Sequence, residues 1–80
     1  MEKTYISITI TNYSNHYIAP EVHYFEDDGV HPRISRWDLD VNTANKLAWE
    51  LVKKGGKNTF KSNQYNNAIS ERQVSFWGYM

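Results

Sequence analysis

Residues 37–57 read WDLDVNTANKLAWELVKKGGK, and this stretch decides the fold. Ala44, Leu47, Ala48, Leu51 and Val52 recur at three- and four-residue spacing, which sets them on one stripe of an α-helix. Lys46, Glu50 and Lys53 fall on the opposite side. The pattern predicts a helix over about residues 41–54. Asp40 is suited to cap its first turn, with Asn42 as the alternative, and Leu39 to staple onto Ala44. Gly55 and Gly56 end it, because glycine enters the left-handed cap without a Cβ penalty. Lys53, Lys54 and Lys57 gather where the helix dipole favours cations, and a small phosphate-binding patch is the sharper alternative. Trp49, at the edge of the stripe, reads as a rim residue of the core.

One amphipathic helix cannot bury its stripe alone, and the flanking segments supply strands. Residues 4–11, TYISITIT, alternate: Ile6, Ile8 and Ile10 face one way, and Tyr5, Ser7, Thr9 and Thr11 the other. Residues 12–20 read as a connection rich in Asn and Ser. Glu21 to Trp37 reads as a hairpin turning at Asp27-Asp28-Gly29. A three-residue loop pairs Glu26 with Val30. It sets Val22 opposite Ile34, Tyr24 opposite Pro32, Phe25 opposite His31 and His23 opposite Arg33. That register separates apolar from polar residues better than a two-residue loop does. Pro32 has no N–H for a ladder, so its strand is expected at an edge or a bulge.

Beyond the helix, residues 58–61 read as a short strand around Phe60 and 62–67 as an exposed loop. Residues 70–79 alternate again, with Val74 and Phe76 on one face and Gln73, Ser75, Trp77 and Tyr79 on the other. The expected order is β-β-β-α-(β)-β. This is an α+β fold: a mainly antiparallel sheet of three to five strands, one helix on one face, and a single domain over residues 1–80.

Eighty residues bound the core, since a chain this short buries only about 60–65% of its unfolded surface. The absence of cysteine excludes a disulfide scaffold and a zinc–thiolate site, and it fits a reducing cytosol. MEKTYISITI lacks the apolar run of a signal peptide, and no stretch approaches the roughly 20 apolar residues of a membrane span. A cytoplasmic protein without membrane contact is expected. Nine basic residues balance nine acidic ones, whereas a generic nucleic-acid binder is more basic. Three Trp and six Tyr are more than a core this small holds, so some must stand at a surface that meets something.

Strand alternation leaves Tyr5, Thr9, His23, Phe25, His31, Arg33, Trp37, Trp77 and Tyr79 on the uncovered face. The candidate partner-binding residues are His23, Phe25, His31, Arg33, Trp37, Trp77 and Tyr79. A second copy can cover such a face across a two-fold axis, giving a homodimer. A different protein can do so with Trp and Arg as anchors. Single-stranded nucleic acid can stack its bases on the rings. Without a partner, residues 12–20 and 57–69 would have to fold over the face. Balanced charge ranks a protein surface, self or other, above nucleic acid. The nucleic-acid alternative adds Arg33, Arg36, Lys53, Lys54, Lys57 and Lys61.

Chemistry-bearing constellations are weak. His23, Glu26, Asp27, Asp28 and His31 are of metal-ligand type, but the hairpin sets two histidines on neighbouring strands without a fixed third ligand. Asp27-Asp28-Gly29 does not match a calcium loop. His16, His23 and His31 are the available bases, yet no cysteine exists and no serine sits in a nucleophile elbow. Gly55-Gly56 follows a helix, whereas a phosphate cradle precedes one. No catalytic residue, metal set or cofactor is assigned, and a non-enzymatic binding protein is expected.

Asn, Lys, Ile and Tyr, all with A/T-rich codons, are abundant, while Arg, Ala and Pro are few. In this general style (short, Asn/Lys/Tyr-rich, cysteine-free, strands around one helix) the chain resembles the small cytoplasmic proteins of Gram-positive phages and mobile elements. The resemblance carries no motif and transfers no residue. It implies a protein that binds a host or phage macromolecule, inhibitors of host defence systems among them.

Overall fold

Strand β1 (Tyr5–Ser14) is the middle of the sheet, because its isoleucines need a covered side and its backbone needs partners on both edges. The computed structural model describes residues 3–14, 19–30, 33–66 and 68–80. After β1 come β2 (Glu21–Asp27), β3 (Ile34–Ser35), α1 (Val41–Lys53), β4 (Lys57–Gln64) and β5 (Ser70–Tyr79). All pairings are antiparallel, in the spatial order β3-β2-β1-β5-β4. The expected α+β architecture is therefore present: the described residues form four long strands, a two-residue β3 at one edge, and one helix. Among the described residues no helix is long and apolar enough to cross a membrane.

Local chemistry sets both ends of α1. Asp40 Oδ1 accepts from the Thr43 N–H at 2.7 Å, so Asp40 is the cap. At the other end the Gly55 N–H donates to Val52 O and the Gly56 N–H to Leu51 O, each at 3.0 Å. This pair of bonds is the Schellman closure, and Gly55 has the positive φ of 98° that it requires. Leu39 joins the core just before the cap.

The helix lays Ala44, Ala48 and Leu51 onto Ile6, Ile8, Ile10, Tyr24 and Phe76. Phe76, Ile8 and Leu51 are the largest fully buried side chains, and each contributes about 1.5–3 kcal/mol of transfer free energy. Val22, Leu47, Val52 and Val74 pack around them. The rim role expected for Trp49 holds: its ring stands edge-on to Phe76 at 5.3 Å and remains half exposed.

Two strands are longer than their composition indicates. β1 continues to Ser14, where it pairs with Ser70, and β4 continues to Gln64 in place of the expected loop from Ser62. The reason is length. Thirteen helical residues span about 20 Å, whereas ten strand residues span about 33 Å. The sheet therefore outruns its helix, and beyond that point neither face needs apolar side chains.

The β2–β3 register differs from the expected one. Glu26 pairs with Ile34 and Phe25 with Ser35, a slip of four residues. Asp27 Oδ1 accepts from the Gly29 N–H at 2.9 Å, and Asp28 Oδ1 from the Val30 N–H at 2.8 Å. These side chains capture the amides that a tight hairpin would have paired, and the loop opens. The expected pairings of His31 and Pro32 lie outside the described residues. An even slip preserves the faces of the strands but shortens β3 to two residues.

Candidate binding face

The face away from α1 is built from rows of directly opposed residues. One row reads Phe25–Ser7–Trp77–Lys57, from β2 across β1 and β5 to β4. The next is His23–Thr9–Ser75–Thr59, and the next Glu21–Thr11–Gln73–Lys61. At the end of the sheet near the chain termini stands Asp27–Tyr5–Tyr79. Tyr5, Phe25, Trp77 and Tyr79 stand towards that end. Tyr5 meets Phe25 edge-on at 6.3 Å and Tyr79 at 5.5 Å. The Arg33 guanidinium lies 4.9 Å over the Phe25 ring. Hydroxyls floor the middle, where Thr9 and Ser75 hydrogen-bond at 3.0 Å.

A recess of about 140 Å³ opens beside Phe25, floored by Ser7 and Thr9 and walled by His23, Ser35 and Trp37. It exists because β3 stops at Ser35, leaving the edge of β2 bare. Trp37, past the end of β3, stands at its rim and is 84% exposed. A volume of this size is below the roughly 300 Å³ where small-molecule pockets begin, and it suits one inserted side chain.

The two border strands of the face carry opposite charge. Glu21 and Asp27 stand on β2 at one border, and Lys57 and Lys61 on β4 at the other. His23 Nε2 lies 3.6 Å from Glu21 Oε2, with both side chains more than half exposed. At the far end, Glu71 is buried and accepts a short hydrogen bond from the Tyr65 hydroxyl, which raises the Tyr65 pKa. Desolvation, followed by the charges of Glu21 and Glu71, raises that of Tyr13.

The sequence-derived candidates divide by position. His23, Phe25, Trp77 and Tyr79 share the open face, with Arg33 on Phe25 and Trp37 at the recess. His31 lies outside the described residues. Among the cations of the nucleic-acid alternative, Lys57 and Lys61 lie on this face and Arg33 borders it. Lys53 and Lys54 are at the helix end on the other side. Arg36 lines the recess beside Trp37, with its guanidinium 5.6 Å over Tyr24 and bonded to Asp38 at 3.3 Å. Residues 57–64, one of the segments that could have folded over the face, are instead its border strand.

A scan against protein-family models, curated proteins and solved structures finds no match for the chain. Ser7 and the opposed charged borders were not among the candidates from sequence. Alternation put Ser7 on the open face, but only the order β2-β1-β5-β4 shows that it separates Phe25 from Trp77.

Proposed function

We propose that the chain is a small non-enzymatic binding module that engages a protein surface, its own or another's, through the open face of its sheet. The observation that carries this is the ring cluster Tyr5, Phe25 and Tyr79, with Trp77 on the same face across Ser7, beside a recess sized for one side chain. Aromatic groups with an arginine at the margin are what protein-binding hot spots are made of. A phage or mobile-element origin, with a host or phage macromolecule as target, fits the general style of the sequence.

Single-stranded nucleic acid is the second reading, favoured by Lys57 directly opposite Trp77 and by Arg33 over Phe25. Against it, Glu21, Asp27 and Glu71 share the face with those cations, where a single-strand groove is uniformly basic. The test is capture by the tagged chain, with and without nuclease, of wild type beside a Trp37→Ala/Trp77→Ala variant. A stoichiometric protein that survives nuclease and is lost with the variant is expected. Equal capture by both chains would overturn the reading. Loss on nuclease treatment, with affinity falling steeply in salt, would put nucleic acid in its place.

A further inference from the structure

The rows of the open face are complementary to themselves in one orientation. We propose that the occupant of this face is a second copy of the chain, packed sheet to sheet about a two-fold axis parallel to the strands. The proposal rests on the open-face reading above and names its partner.

Such an axis reverses the strand order and keeps each row level. β2 then lies over β4 of the second copy, and β1 over its β5. In the central rows Trp77 falls on Ser7 and Ser7 on Trp77, so the largest side chain of each copy meets the smallest of the other. Interdigitation of large on small is what fills the space between stacked sheets. Thr9 falls on Ser75, and Tyr5 on Tyr79. On the borders Glu21 meets Lys61, an ion pair, and Lys57 falls on Phe25, whose ring already carries Arg33. Each of these contacts is made twice. Aligned sheets cross at about 30°, which displaces the outer rows by about 5 Å, within reach of Lys and Glu side chains.

Charge selects this axis over the other one that stacks the two faces. A two-fold perpendicular to the strands keeps the strand order, so β4 lies on β4 and β2 on β2. With the axis on the His23–Thr9–Ser75–Thr59 row, Lys57 falls on Lys61 at one border while Glu21 falls on Phe25 at the other, so the lysines oppose each other and the carboxylates lose their cations. Like charges opposed across an interface are strongly unfavourable. The four long strands offer about 500 Å² in plan per copy. This is less than the roughly 800 Å² per partner of a standard interface, so the expected dissociation constant is micromolar.

Sedimentation equilibrium across the micromolar range tests the proposal, with Glu21→Lys and Lys61→Glu as probes. Each variant alone opposes like charges twice and should weaken self-association at least about tenfold at low salt. In an equimolar mixture of the two, both borders set the lysines of one variant against the carboxylates of the other. A heterodimer should therefore form with near wild-type affinity. That recovery also shows both variants to be folded. A wild-type chain that stays monomeric would overturn the proposal. So would single variants that dimerise like wild type, or a mixture that forms no heterodimer. If the chain is monomeric while Trp37→Ala/Trp77→Ala still abolishes capture of another protein, the second copy is excluded and the open-face reading stands.

Discussion

A Cβ added to Gly78 would stand 2.8 Å from the Cα of Gly56. The chain leaving α1 thus rests directly on the backbone of β5. A Cβ on Gly56 would meet the carbonyl oxygens of Leu51 at 2.7 Å and Trp77 at 2.8 Å. Backbone cannot give way as a flexible side chain does, so either substitution lifts the helix end off the sheet. Gly78→Ala should cost about 1–3 kcal/mol in urea unfolding, in the range of overpacked cores. Gly29, with φ of 80° and nothing within 4 Å, is the control: alanine there meets only backbone strain, about 1–2 kcal/mol. A Gly78→Ala chain as stable as wild type would contradict the close packing.

Phe76 is buried on the helix side, and Trp49 leans on its ring. Phe76→Ala should lose about 3–5 kcal/mol out of roughly 4–12 kcal/mol for a chain this size and unfold at a much lower urea concentration than wild type. Phe76→Leu should remain folded yet alter the near-ultraviolet dichroism of Trp49. A stable Phe76→Ala protein would place the core elsewhere.

Asp40 caps α1 as a carboxylate, and the hydrogen bonds from Thr43 hold its pKa below the ordinary 3.8. A group depressed in the folded state stabilises above its unfolded pKa, and that stabilisation is lost as pH falls through the folded one. Asparagine also caps well but does not titrate. Asp40→Asn should therefore flatten the fall of Tm with acidification below about pH 4 while keeping the helix. Asp38, depressed by Arg36, leaves a residual slope. Identical acid profiles for the two chains would remove Asp40 from that linkage.

Tyr24 behaves in the opposite sense. Burial, and then its hydrogen bond to Glu26 at 3.0 Å, pushes the phenol up to about 12. A raised pKa stabilises fully below the unfolded value of 10.0, and that contribution drains away as pH rises towards 12. Alkaline titration of tyrosinate absorbance should show one phenol ionising near pH 12 that vanishes in Tyr24→Phe. If the highest transition persists in the variant, another tyrosine carries it.

Legibility from sequence followed the range of the forces involved. The helix ends could be read because Asp40, Gly55 and Gly56 act on their own neighbours. The strand faces could be read because Ile6, Ile8 and Ile10 alternate whatever lies beside them. The open aromatic face follows from the same alternation. The β2–β3 register was missed because Asp27 and Asp28 capture amides two residues on, a competition that facing patterns do not record. The ends of β1 and β4 were missed because they pass beyond the helix, where apolar and polar side chains no longer alternate. The charged borders depend on β5 returning between β1 and β4, which is a long-range outcome.

Strand β4 presents eight residues at an open edge, a form that invites exchange of strands between molecules. Here the strand has no loose end. At Lys57 it emerges straight from the glycine pair seated on β5, and past Gln64 the Tyr65 N–H to Ile69 O bond at 3.0 Å ties it to the return strand. To trade β4 with a neighbour, a molecule would have to melt its helix terminus and its last hairpin together. The edge is therefore held at both of its ends, so exchange of β4 must break contacts beyond the strand itself.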